Sequence, residues 1–209
     1  MTRRLECWID FGSNYSYVAV ARIAPLARAA GVELVWRPFL LGPIFKRQGW
    51  DTSPFVLQKD KGEYAFMDTA RLCARHGLPW RRPSTFPRPA VATLRVAAAF
   101  AEAPWVGDYC RRIMQLNFAE DRDIDSAEVA VEVLDSLGLA GADLVAQAQQ
   151  APSKDRLRAF SEEAVRRKVF GAPTFFVGDE MFWGNDRLEQ ALEQAQQARA
   201  DAADPARAG

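Results

Sequence analysis

The first spacing with chemical potential is Asp10-Phe11-Gly12-Ser13-Asn14-Tyr15-Ser16-Tyr17, where an apolar run stops at a glycine and a helix-compatible pattern begins. A strand end running into a helix start leaves backbone N–H groups unpaired and places the positive end of a dipole there. An anion is stabilised at such a point without any charged side chain. A serine hydroxyl at Ser13 can donate to a thiolate as well. The same residue types also serve a plain structural end, since Ser13 or Ser16 suits a helix cap; taken alone, the segment favours the cap.

Three further segments carry residue types that bind. Gly171-Ala172-Pro173-Thr174 stands directly before an apolar strand. A cis Ala172–Pro173 bond would offer the Ala172 backbone as a free edge for an extended peptide, whereas a trans proline would merely open the strand. In Phe182-Trp183-Gly184-Asn185-Asp186-Arg187-Leu188, Asn185 and Asp186 can face the carboxylate and ammonium of a ligand, or simply cap the next helix. Lys61, in Lys61-Gly62-Glu63-Tyr64, can neutralise a carboxylate, although a single lysine is ordinarily solvated.

Other chemistries lack their residues. Cys7, Cys73 and Cys110 are far apart and form no Cys-x-x-Cys, so neither a local zinc site nor a dithiol redox motif is expected. They read as small buried residues in a reducing compartment. His76, the one histidine, precedes Gly77-Leu78-Pro79 and reads as the last residue of a helix, where a donor suits the free carbonyls.

The elements that must position these residues follow from periodicity. Leu5 to Phe11 reads as a first strand, and a helix from about Ser16 to Ala30 presents Val18, Val20, Ile23, Leu26 and Ala27 on one face, with a kink expected at Pro25. Val32 to Phe39 reads as a second strand closed by a Gly42-Pro43 turn. Helical patterns then cover Gly62–His76, Pro89–Glu102, Val106–Asn117, Ser126–Leu137, Gly141–Gln150 and Ser153–Lys168, with Ser126 and Ser153 as caps and a proline-rich loop over 84–89. Strand character returns at Thr174–Val177 and Met181–Trp183 around a Gly178-Asp179-Glu180 turn, followed by a last helix to about Gln197. The order is β-α-β, a helical block, then β-β-α. It divides into a discontinuous α/β domain at 1–44 and 169–200, a helical insertion at 45–168, and a flexible tail at 201–209.

Composition bounds the partners. Apolar residues make up 49% and charged residues 26%, enough for a sizeable core. The 27 basic and 27 acidic side chains cancel, which removes the electrostatic footprint of a nucleic-acid binder. No run reaches the apolar length of a membrane span, and the first residues show no signal-peptide pattern, so a cytoplasmic protein is expected.

Taken together and in order, these segments resemble the 2-hydroxychromene-2-carboxylate isomerases and the kappa-class glutathione transferases. The resemblance spans about Leu5 to Ala195 and rests on residues 10–17, on Lys-Gly-Glu-Tyr-x-x-x-Asp at 61–68, and on the string from Arg167 to Leu188, which is nearer the isomerases. It implies an α/β, thioredoxin-like (DsbA-like) fold with a large all-helical insertion, and glutathione as cofactor. Carried over, Ser13 binds the glutathione sulfur and is the catalytic residue, Ala172 pairs with the cysteinyl backbone, Trp183, Gly184, Asn185 and Asp186 hold the γ-glutamyl end, and Lys61 contacts the tripeptide. Two departures stand out. Asn14 and Gly12 occupy positions where the family usually has proline and a bulky apolar residue, and Gly49 to Phe55 contains no counterpart of an asparagine found upstream of the kappa lysine motif.

The activity so implied is a glutathione-dependent cis–trans isomerase of aromatic catabolism, in which a thiolate adds reversibly to an aromatic enone acid. The substrate carboxylate needs a partner, for which Arg88, Lys46 and Arg47 are the candidates. A kappa-type transferase would instead consume glutathione, and a DsbA-like scaffold would only bind a peptide at Ala172. A disulfide oxidoreductase is disfavoured by the missing cysteine pair. Apolar surface on the helical block suggests a homodimer.

Overall fold

The computed structural model describes residues 3–197. The expected tail at 201–209 lies outside them. Within them, β1 (Arg4–Ile9), α1 (Asn14–Ala30) and β2 (Glu33–Pro38) form the opening β-α-β unit. A helical block follows: α2 (Leu41–Arg47), α3 (Pro54–Leu57), α4 (Lys59–His76), α5 (Val91–Ala99), α6 (Val106–Phe118), α7 (Ala127–Ser136), α8 (Gly141–Ala148) and α9 (Ala151–Arg166). The chain then returns through β3 (Thr174–Val177) and β4 (Glu180–Trp183), a 3-10 turn at Asn185–Arg187, and α10 (Leu188–Gln197). The expected division at 44/45 falls inside α2, and that at 168/169 falls between α9 and β3.

The sheet order is β2-β1-β3-β4, with β1 parallel to β2 and antiparallel to β3. This mixed sheet, flanked by helices, is the DsbA-like thioredoxin arrangement implied above. The central strand β1 is covered on both sides, which is why its pattern is nearly continuous rather than alternating: Leu5, Cys7, Trp8 and Ile9 are all fully buried. On one face Trp8 meets the edges of Phe39, Phe160 and Phe176 at centroid distances of 6.0, 6.5 and 6.1 Å. Trp8 Nε1 is satisfied by Glu6 at 3.0 Å. Helix α1 packs against α6, α4 and α10, and so joins the sheet to the helical block.

Several expected boundaries moved, each for a local reason. Gly42-Pro43 is not a turn but lies in the first turn of α2. A proline there forfeits nothing, because the first helical N–H groups have no intrahelical acceptor. Helix α3 carried no periodic signal because none of its residues is buried. Ser153 is not a cap: α9 starts at Ala151 behind Gln150, with Pro152 in its first turn, and Ser153 Oγ donates to the Gln147 carbonyl at 3.0 Å. Ser126 does cap α7, accepting from Val129 N–H at 3.2 Å. Pro25 lies inside α1 at an exposed position, and the helix continues through it. His76 ends α4 before Gly77, whose φ of 65° is the left-handed cap glycine tolerates.

Candidate active site

The end of β1 delivers Asp10 to Ser13 to one rim of a cavity of about 930 Å³. Asp10 shapes this turn. Its carboxylate accepts the Gly12 N–H at 2.7 Å and the Leu41 N–H at 2.8 Å, tying the loop to the start of α2. Burial pushes the Asp10 carboxyl above its usual value, and these two backbone donors oppose that rise. A side chain at Gly12 would approach the Arg88 carbonyl to 3.1 Å, so the proline-rich loop at 86–89 closes directly over the turn.

Ser13 has extended backbone angles and caps α1, accepting the Ser16 N–H at 3.2 Å. Its hydroxyl proton goes elsewhere, to the Ala172 carbonyl at 2.8 Å across 159 residues of sequence. The cap and the cross-chain contact therefore coexist in one 7% exposed side chain. The N–H groups of Asn14 and Tyr15, the first two of α1, have no acceptor among the described residues. Ser16 is fully buried, its hydroxyl finds no partner among the described residues, and it does not line the cavity.

The Ala172–Pro173 bond is cis, as expected, and so is Phe86–Pro87, which the sequence pattern did not single out. The Ala172 N–H makes no hydrogen bond within the described residues. Gly184 N–H donates to the Pro173 carbonyl at 3.0 Å and so docks the Trp183–Asp186 segment against this turn. Gly184 takes a φ of 111°, a region that requires glycine. Trp183 is 52% exposed and leans on Phe170 at 4.8 Å between centroids. A Cβ at Gly171 would sit 2.4 Å from Trp183 Nε1, so a side chain there would push the half-exposed Trp183 ring aside.

Asn185 is 4% exposed, and its Oδ1 accepts from Arg22 at 3.2 Å. With its acceptor occupied, the amide has its donor left for the cavity. Arg22 is in turn paired with Glu189. Asp186 and Lys61 are exposed at the mouth. Ser13, Lys61, Ala172, Trp183, Gly184, Asn185 and Asp186 thus all line one cavity, although they come from four separate stretches of chain. Its apolar side is built by Leu40, Leu41, Phe45, Phe55, Phe86, Pro87 and Leu94.

Of the three candidate carboxylate partners, one reaches the cavity. Arg88 lines the cavity but is only 8% exposed. Its guanidinium is committed to Asn117 Oδ1 at 2.9 Å, to Ser84 Oγ at 3.1 Å and to an ion pair with Asp121. Lys46 and Arg47 lie outside the lining, and Arg47 donates to the Val165 carbonyl at 3.1 Å. Lys61 and Arg187 are the lining cations that remain exposed among the described residues. Asp10, Tyr64 and Asp68 line the cavity too, although the motifs that contain them assigned them no role of their own. Asp68 was visible only as the last residue of the 61–68 motif; it accepts from the Tyr15 hydroxyl at 2.9 Å.

The chain brings no thiol of its own. Cys7, Cys73 and Cys110 are buried, and none lines the cavity. Burial pushes all three thiols up, Cys73 to about 12. Among the described residues no cluster of His, Cys, Asp and Glu could hold a metal, and no helix is long and apolar enough to cross a membrane.

Comparison with known proteins agrees with this architecture. The model of the DSBA-like thioredoxin domain matches residues 4–196. A protein of Sphingobium xenophagum named 2-hydroxychromene-2-carboxylate isomerase is 30% identical over 198 residues, 90% of this chain and 96% of the relative. The solved structure of a 2-hydroxychromene-2-carboxylate isomerase superposes with a TM-score of 0.83 at 24% identity, covering 96% of this chain and 97% of the other. The cytosolic disulfide reductase DsbM from Pseudomonas aeruginosa, solved with glutathione, superposes with a TM-score of 0.63 at 16% identity, covering 96% of this chain and 98% of the other.

Proposed function

The chain belongs to the DSBA-like thioredoxin domain family and to the family of the 2-hydroxychromene-2-carboxylate isomerases, and from that membership we propose that it is a glutathione-dependent isomerase acting on an aromatic enone acid. The similarity supports an isomerase-type enzyme. The glutathione dependence rests on one observation: Ser13, the Ala172 edge and the Trp183–Asp186 segment share a cavity that no cysteine of the chain lines. Thiolate chemistry at this site must use a borrowed thiol.

The residues present fit a charged tripeptide. A cavity of about 930 Å³ is at the upper end of the range for small-molecule sites, with room for a second ligand beside the first. The unpaired Ala172 N–H and its carbonyl offer a strand-like edge for a cysteinyl backbone. At the mouth, Asp186 suits an ammonium and Lys61 a carboxylate, while Asn185, held by Arg22, has an amide donor to spare. The glutathione bound to DsbM supports the choice of tripeptide on this fold.

Held by Ser13, Ala172, Asn185 and Asp186, glutathione would supply a thiolate able to add reversibly to the conjugated double bond and so permit its isomerisation. The protein supplies the rest. The free N–H groups of Asn14 and Tyr15 and the dipole of the 17-residue α1 favour negative charge next to Ser13, so a thiol there gives its proton to solvent more readily. The Ser13 proton goes to the Ala172 carbonyl. A ligand N–H pairing with that carbonyl competes for it and releases the serine hydroxyl toward the sulfur. Ser13 therefore stabilises the nucleophile and does not attack carbon. The side built by Phe45, Phe55 and Phe86 receives the aromatic part of the substrate, and Arg187 meets its carboxylate.

The test is an isomerisation assay on 2-hydroxychromene-2-carboxylate with glutathione far below the substrate concentration. Many turnovers per glutathione, with the thiol fully recovered, are expected. Stoichiometric loss of glutathione would instead mean a transferase, and full turnover without any glutathione would remove the borrowed thiol from the account.

A further inference from the structure

The residue after Ser13 does something that helix capping does not require. Asn14 opens α1 and is 1% exposed, yet its carboxamide turns away from its own helix. Nδ2 donates to Thr69 Oγ1 at 2.6 Å and, more weakly at 3.4 Å, to the Ala65 carbonyl, both on α4. Thr69 Oγ1 gives its own proton to the same Ala65 carbonyl at 2.8 Å. The hydroxyl can therefore only accept from Asn14, and this fixes which way the amide faces.

The start of the partner helix is also held by Gly62 packed on the Phe55 carbonyl and by the Glu63–Arg82 ion pair. Of α4, only Gly62, Ala65, Thr69 and Cys73 are buried, and Lys61 and Tyr64 lie exposed in its first turns beside the cavity. Lys61, Ala65 and Thr69 follow one another at four-residue steps, so they share one row along the helix. A bond that fixes Ala65 and Thr69 thereby fixes the rotation of α4 that decides where Lys61 stands. The Tyr15–Asp68 hydrogen bond adds a second tie from α1 to the same helix.

We propose that Asn14 is a positioning residue: its buried carboxamide holds α4, and with it Lys61, in register with the helix start at Ser13. The role assigned to Lys61 rests on the glutathione reading; the clamp itself does not. Loss of one buried hydrogen bond corresponds to roughly a two- to tenfold change in an equilibrium constant.

The test measures amide hydrogen exchange of the ligand-free protein together with glutathione affinity. Asn14→Ala and Thr69→Val should each speed exchange across 59–69 and raise the glutathione Kd about two- to tenfold. Thr69→Ser, which keeps the hydroxyl, should restore both. In a Lys61→Ala background, Asn14→Ala should change Kd less than about twofold, because the two residues act as a unit. Additive effects, or exchange across 59–69 that ignores both substitutions, would overturn the proposal. If the unaltered protein fails to bind glutathione, the functional reading falls, while the exchange measurement still decides the clamp.

Discussion

Replacing Ser13 with alanine separates the two duties of one hydroxyl. The side chain accepts from Ser16 N–H as a cap and donates to the Ala172 carbonyl, both lost in Ser13→Ala. The cap is worth about 0.5–2 kcal/mol and the cross-chain bond about 0.5–1.5 kcal/mol, so stability should fall by about 1–3.5 kcal/mol. For a chain of this size that lowers the thermal midpoint by roughly 2–14 °C. The catalytic loss should be of similar size. Removing a donor aimed at a charged sulfur costs about 1.5–3 kcal/mol, which raises the pKa of the bound thiol by about 1–2 units and slows turnover at neutral pH by roughly 10- to 100-fold. The assay follows thiolate absorbance of bound glutathione against pH, beside thermal unfolding. Ser13→Gly controls for the cap, since glycine is nearly as good there. It should match Ser13→Ala in thiol pKa while recovering part of the stability. A bound thiol whose pKa is the same in all three proteins would refute the role given to the hydroxyl.

Three other outcomes follow from the same geometry. Gly62→Ala would put a Cβ 2.0 Å from the Phe55 carbonyl oxygen, so α3 must move away from α4. Unfolding measurements should show a loss of about 1–3 kcal/mol or more together with weaker glutathione binding, and an unperturbed variant would contradict that packing. Arg88→Met should lower the thermal midpoint markedly, and Arg88→Lys should not rescue it, because an ammonium cannot span Asn117, Ser84 and Asp121. A stable Arg88→Met protein that lost only affinity for a carboxylate substrate would return Arg88 to substrate binding. The Asp121 carboxyl is held at about 2, below its usual 3.8, first by the Ser84 N–H and then by Arg88. A carboxylate depressed on folding contributes stability that is full above its ordinary value and lost as pH falls through the folded one. The midpoint difference between the unaltered protein and Asp121→Asn should accordingly be constant near neutrality and shrink from about pH 4 toward pH 2; a difference indifferent to pH across that window would contradict the assignment.

What could be read from sequence was what local chemistry makes visible. Gly12-Ser13 between an apolar run and a helical pattern, and Gly171-Ala172-Pro173 before an apolar strand, mark their own backbone breaks, and both reach the cavity. The alternation of strand and helix at the two ends of the chain gave the sheet. What could not be read depends on partners distant in sequence. Ser13 has two readings locally, and the Ala172 carbonyl adds a contact that no local pattern contains. Arg88 stands near prolines and looks free, yet the carbonyl and side chain of Asn117 and the Asp121 carboxylate consume it. Asn14 departs from the usual proline of the resembling family, and its purpose emerges only when α4 packs beside it. Helices α2 and α3 escaped because one hides behind Gly42-Pro43 and the other buries nothing.

A structure determined with glutathione bound tests the central claim most directly. The account predicts the sulfur within hydrogen-bonding reach of Ser13 Oγ, the cysteinyl backbone paired with Ala172, and the charged ends of the tripeptide at Asp186 and Lys61. Glutathione seated elsewhere, or a cavity that leaves it out at millimolar concentration, would contradict it.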